Sequence, residues 1–224
     1  GTAGAAVHVV DVKQNNSRES YLADIYDAAR IVAKMDHIHF FQRPMVARDI
    51  EDPADLDVNT IYAAVRGTTK HVGVSFTEVD HMGPSIEMLH AIAGGEDAWR
   101  ARPFVSNSNC FVVPPLRFAT ESCLVMERAV HAGMPVLLLS AGQAGATAPA
   151  SIAGAVAQAL AEVIAGLVYV NAMKPGHPCI CGTWPFVSDL RTGAMSGGSG
   201  EQGLLTAACS QMLQYYDLPG GAAA

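Results

Sequence analysis

From residue 37 onward, short apolar runs alternate with longer stretches whose apolar positions recur every three or four residues. This pattern predicts repeated strand-helix units and a parallel sheet. The predicted strands are 37–42, 71–76, 104–107, 135–141 and 179–182, with a sixth beginning near Gly221. The predicted helices between them are 56–67, 84–93, 116–132, 149–173 and 200–216. Upstream, Leu22, Ile25, Tyr26, Ala29, Val32 and Ala33 recur at helical spacing, so 20–34 reads as an amphipathic helix. The first dozen residues read as a glycine turn and one strand, which makes 1–36 an N-terminal strand and helix ahead of the main series. Gly133 with Pro135, and Pro175 with Gly176, punctuate two helix ends. Pro149 suits a first helical turn after Thr147 as the cap.

Half of the 224 residues are hydrophobic and 16% are charged, a balance that suits strands covered on both faces. The longest apolar stretch, 153–173, is interrupted by Gln158, Glu162 and Asn171 and reads as a buried helix rather than a membrane span. The formal charge of −7 and the scatter of 14 Lys and Arg argue against a nucleic-acid partner. Five cysteines, an odd number in a large apolar domain, suit reduced thiols and a cytoplasmic setting. The fold class expected is α/β, of the (β/α)8 barrel type, with residues 1–224 supplying five to six βα units of one barrel domain. Because eight units close a barrel and five would expose two sheet edges, the domain is expected to be incomplete at both ends.

In a parallel α/β protein the loops after the strands surround one mouth, where sites are built. Those loops offer Thr77, Glu78 and Asp80; Asn107 and Asn109; Ser140, Gln143 and Thr147; and Thr183, Trp184 and Asp189. Loop hydrogen bonding and helix capping account for many such residues taken singly. Gln143, between small residues, supplies a neutral amide; Trp184 and Phe186 supply aromatic faces for a small cation, with core packing as the alternative. Cys179 and Cys181, two apart on a strand, share a face near His177, yet structural zinc needs four close ligands and no second cysteine pair has suitable spacing, so no metal is expected. No nucleophile elbow or phosphate-binding lysine loop is present, and the glycines before residue 201 lack a basic neighbour. No residue stands out as catalytic.

Four blocks, GTTKHVGVSFT, RPFVSNSNCFVVPPLRFA, PVLLLSAGQAGATAPASIAG and GTWPFVSDLRTGAMSGGSGEQ, together resemble the central portion of the trimethylamine methyltransferase family. The resemblance implies a barrel about twice this length and transfer of a methyl group from a methylated amine to the cobalt of a corrinoid protein. It implies no permanently bound cofactor, since the corrinoid (cobalamin-type) is supplied by a cognate partner protein; a homo-oligomer is a separate expectation. It also implies that trimethylamine-specific members carry pyrrolysine in a segment just past residue 224, whereas many relatives have an ordinary residue there and use quaternary amines such as glycine betaine.

The expected substrate-binding residues are Trp184 and Phe186 against the methyl groups, with Gln143, Asn107, Asn109 and Thr183 orienting the remainder and Asp189 as charge partner. Two other readings stay open. A barrel lyase or aldolase would need a Schiff-base lysine or a carboxylate-bound metal at a strand end, and Lys13, Lys34, Lys70 and Lys174 lie at none of the predicted ones. A non-catalytic subunit that binds a methylated osmolyte is the other.

Overall fold

The computed structural model describes residues 1–222. Its internal contacts group the chain into two compact units, Gly1–Asn107 with Ala132–Met134, and Ser108–His131 with Pro135–Ala224. Both are mixed α/β.

The first unit opens with an antiparallel hairpin, β1 (His8–Asp11) and β2 (Asn16–Glu19), where one strand was expected. The turn is enabled by Asn15, which takes a left-handed φ of 52° that asparagine tolerates, and by the Asp11 carboxylate, which accepts the Lys13 and Gln14 N–H groups. Helix α1 (Leu22–Ala33) buries Ile25, Ala29 and Val32. Strand β3 (Phe40–Gln42) leads to α2 (Pro53–Gly67), which starts three residues earlier than its apolar pattern because Asp52 caps the Ala54 and Asp55 N–H groups and Pro53 needs no donor. Strand β4 (His71–Val74) leads to α3 (Met82–Ala93), which ends at Gly94 with φ 91°, and then to a short α4 (Glu96–Ala101) that the apolar pattern did not reveal. Strand β5 (Val105–Asn109) follows.

β3, β4 and β5 pair in parallel, with Phe41, Val72 and Val105 in one row and Gln42, Gly73 and Ser106 in the next. The first row is at most 1% exposed and forms the core face. Gly73 in the second row leaves room for the Gln42 side chain, since a Cβ there would meet Gln42 Oε1 at 1.8 Å and force that amide to move.

In the second unit a small hairpin, β6 (Val112–Val113) and β7 (Arg117–Phe118), precedes α5 (Thr120–His131). The helix therefore starts four residues later than expected, with Leu116 at a φ of 56° inside the hairpin turn. Strand β8 (Val136–Ser140), the two-residue β9 (Gln143–Ala144), and α6 (Ile152–Met173) come next. The cap of α6 is Ser151, whose hydroxyl accepts the Gly154 N–H; Thr147 instead braces its own loop. Strand β10 (Cys179–Thr183), the two-residue β11 (Phe186–Val187), α7 (Gly200–Tyr215) and β12 (Gly220–Gly221) complete the series. β8, β10 and β12 pair in parallel in that order, and β9 pairs with β11 in a separate parallel ladder.

Along the chain this gives five strand-helix units and a sixth strand, as the alternation implied. Helix α6 is long and apolar enough to cross a membrane by length and composition. It packs here against β8, β10 and α7, and Gly166 lets it sit on Phe111, whose ring would be 2.4 Å from an added Cβ. Gly166→Val is therefore expected to lower stability by about 1–3 kcal/mol through overpacking, as read by urea unfolding of the full-length protein.

Candidate functional site

In the second unit, register and side-chain contacts decide which strand-end residues face where. Ser140 pairs with Thr183 and Leu138 with Cys181, so these four share one face. Ser140 Oγ donates to Glu162 on α6, which identifies that face as the helix-covered one. Thr183 is fully buried there, its hydroxyl beside the Cys209 thiol of α7. Asn109 is 4% exposed and donates through Nδ2 to the Ser122 carbonyl of α5, while its Oδ1 has no partner. These two amide and hydroxyl positions therefore sit against helices.

The β9–β11 ladder brings two other expected residues together. Phe186 pairs with Gln143, and Ser188 Oγ donates to Gln143 Oε1 at 2.8 Å. The same ladder carries Phe186 N–H to Gly142 O at 2.9 Å and Ser188 N–H to Ala144 O at 3.2 Å. Trp184 is half-buried and held twice, by its main-chain N–H on Ser140 O at 2.8 Å and by Nε1 on Gly221 O at 3.1 Å.

Asp189 organises its own turn, with Oδ1 accepting the N–H groups of Arg191 at 2.8 Å and Thr192 at 3.4 Å. Its pairing with Arg191 at 3.8 Å involves a guanidinium side chain that is 92% exposed, an ion pair of little energetic weight. Asp189 also borders a cleft of about 300 Å³ lined by Ala144, Ile152, Val187, Ser188, Leu190, Glu201 and Leu205. Two carboxylates beside the apolar side chains of Ile152, Val187, Leu190 and Leu205 suit a small cation with methyl groups. Gln143 and Phe186 meet this cleft through their neighbours, Ala144, Val187 and Ser188.

Asn107 belongs to the first unit, where it pairs with Val74 and is fully buried with both amide atoms unpartnered. A buried carboxamide without partners is costly. The loop after β4 holds a polar cluster that the sequence pointed to through Thr77. The Thr77 N–H and hydroxyl each donate to Asp57 Oδ2 at 2.9 Å, and His81 Nδ1 lies 2.8 Å from the same hydroxyl. Since the hydroxyl proton goes to Asp57, His81 must donate from Nδ1, which sets its tautomer. Burial pushes the Asp57 carboxyl up from its ordinary range, against the pull of the Thr77 hydrogen bonds, His81 and Arg43; burial also pushes the Arg43 guanidinium down.

A folded-state carboxyl pKa above the unfolded one contributes stability that is present below the unfolded value and is lost as pH rises through the folded value. In the full-length protein, the stability of Asp57→Asn minus that of the wild type is therefore expected to rise as the pH climbs above the ordinary aspartate value of about 4, measured by urea unfolding at each pH. Glu78 and Asp80 are exposed; Glu78 lies 4.0 Å from His81 Nε2.

Among the described residues no three of His, Cys, Asp and Glu converge in a way that could hold a metal ion. Burial raises the Cys179 thiol to about 11, with the neighbouring Cys181 adding to the shift, and raises Cys181 as well. Sequence reasoning missed Glu162, Gln158 and Ser188. Glu162 is 1% exposed and bound by three donors, and its only signal was a carboxylate interrupting an otherwise apolar helix.

Parallel strands in series with helices, with polar groups gathered in the loops after the strands, define an α/β protein of the kind that builds its site at strand ends. The family model described as trimethylamine methyltransferase (MTTB) matches residues 1–224, and the chain belongs to that family. It is 29% identical over 216 residues to trimethylamine methyltransferase MttB of Desulfitobacterium hafniense, covering 96% of this chain and 43% of that protein. It is 31% identical over 206 residues to MttB1 of Methanosarcina mazei, covering 90% and 41%. To the glycine betaine methyltransferase of D. hafniense strain Y51 it is 28% identical over 204 residues, covering 90% and 42%. The chain thus spans about two fifths of the length of these relatives.

Proposed function

We propose that this chain is part of a methyltransferase that moves a methyl group from a tertiary or quaternary methylated amine to the cobalt of a corrinoid protein. The chain supplies five to six units of an eightfold βα barrel. The observation that carries the reading is the cleft beside the β9–β11 ladder, read together with family membership. Its volume of about 300 Å³ suits a small methylated ammonium.

In this reading Asp189 and Glu201 offset the ammonium charge, and Val187, Leu190 and Leu205 contact the methyl groups. Gln143, held by Ser188, and Phe186 support the wall formed by their neighbours Ala144, Val187 and Ser188. Asn109, bonded to the Ser122 carbonyl, and Thr183, buried beside α7, face the helix layer rather than the amine. The reduced corrinoid supplies the nucleophile that accepts the methyl group. The work left to this chain is to bind and orient the amine and to exclude water from its cationic nitrogen.

The test is to incubate the full-length protein with a reduced corrinoid protein and either trimethylamine or glycine betaine, and to follow the methyl-cobalt absorbance. Methyl transfer from one of the two is expected, and Glu201→Gln with Asp189→Asn should raise KM by about tenfold, equivalent to roughly 1.4 kcal/mol. Absence of methyl-cobalt with every methylated amine tried would overturn the proposal.

A further inference from the structure

Glu162 lies in the middle of α6, fully buried, and its carboxylate takes part in no step proposed above. Its Oε1 accepts the Leu116 N–H at 2.8 Å and Gln158 Nε2 at 3.1 Å; its Oε2 accepts the Ser140 hydroxyl at 2.5 Å. The three donors come from three places: the turn after β6, the helix itself, and the C-terminal end of β8. A buried carboxylate is tolerated only when it is bound in this way, so the site holds its donors as firmly as they hold it.

Two arms continue outward. Ser140 O accepts the main-chain N–H of Trp184, so fixing Ser140 fixes the start of the loop after β10. Gln158 Nε2 also donates to Thr147 O at 2.9 Å. The Thr147 hydroxyl accepts the Gln143 N–H at 2.9 Å, and Gln143 Oε1 accepts from Ser188. An added Cβ on Gly142 would be 3.3 Å from Gln158 Nε2, which shows how closely that amide lies under the loop. One carboxylate therefore stands at the root of hydrogen bonds that reach the loops after β6, β8 and β10.

We infer that Glu162 is a positioning residue: it sets the loops at 142–148 and 184–188 in the arrangement that binds the methylated amine. The inference rests on the proposed function for its ligand and on the hydrogen-bond geometry alone for its effect on the loops. The test uses the full-length protein with Glu162→Gln, Glu162→Leu and Gln158→Leu, read by amide hydrogen exchange and by KM against kcat.

Glutamine keeps the shape and one acceptor, so Ser140 can turn to accept from it; leucine leaves the Leu116 N–H without a partner. Gln158→Leu, at a half-buried position, removes the bonds to Glu162 and Thr147 while the Leu116 and Ser140 donors to Glu162 stay, and tests the idea even where Glu162→Leu fails to fold.

The expected result is exchange raised at least about tenfold at 143–148 and 184–188 in Glu162→Leu, and at 143–148 in Gln158→Leu, with α7 unchanged. KM for the amine should rise by a similar factor with kcat changed less, and Glu162→Gln should recover most of both. Exchange that rises evenly along the chain, or loops that exchange as in the wild type in both leucine variants, would overturn the positioning role. If the wild type transfers no methyl group from any amine, the functional reading falls, and the exchange measurement alone decides the role of Glu162.

Discussion

Trp99→Ala in the full-length protein is expected to lower the free energy of unfolding by about 3–5 kcal/mol, with a matching fall in the urea midpoint. Trp99 is fully buried on α4, a helix of only six residues with little packing surface to spare. Its ring meets the edge of Phe104 at 5.4 Å and an interplanar angle of 86°, and Nε1 donates to Ala132 O at 2.9 Å. Truncation removes the apolar area, the edge-to-face contact and the donor together. Trp99→Phe separates them: most of the ring stays, while the Ala132 carbonyl loses its partner, for a loss of about 1–3 kcal/mol. Equal losses in the two variants would show that the hydrogen bond, and not the filled volume, accounts for the stability.

Lys70→Met should cost about 2–4 kcal/mol, the range expected when several charge-assisted hydrogen bonds are lost together. The Lys70 ammonium donates to three carbonyls at once, Val32 O at 2.7 Å, Met35 O at 2.5 Å and Ile38 O at 2.6 Å. These acceptors lie at the C-terminal end of α1 and the turn that follows, where Val32 O also accepts the Met35 N–H and Met35 O the Ile38 N–H, and where the helix dipole favours a cation. Methionine keeps the length and the apolar stem but supplies no proton. Arginine keeps the charge but spreads it over a planar fork that cannot point at three converging oxygens, so Lys70→Arg should recover less than half of the loss. Urea unfolding of the two variants checks both statements; a Met variant as stable as the wild type would show that water serves these carbonyls equally well.

The repeated strand-helix order was legible because buried parallel strands read as continuous apolar runs: the Leu137, Leu138 and Leu139 series of β8 needs no tertiary knowledge to be recognised. Asp52 and Pro53 carried a readable helix start that the apolar period, beginning later, obscured. Helix α4 was illegible because its single large apolar residue, Trp99, gives no period. The β9–β11 ladder could not be read either, since each strand is two residues long and exists only because the other lies in register beside it.

For the candidate site, the sequence named residues in the strand-end loops of the second unit but could not assign their faces. Thr183 and Trp184 are adjacent, yet the pleat turns the first into the helix layer and leaves the second half-exposed. Glu162 was hidden for a different reason: an isolated carboxylate in an apolar helix looks like an interruption until its three donors, 46, 22 and 4 residues away in sequence, are brought to it.

The Cys179 and Cys181 pair also looks different in the folded chain. With the Cys179 thiol raised to about 11 and Cys181 raised beside it, both sulfurs are protonated at neutral pH. Thiolate is the form that reacts with oxidants, alkylating reagents and soft metal ions. Two thiols on one face of a strand would ordinarily be the first place for such chemistry; here burial keeps both in the less reactive protonated form at neutral pH.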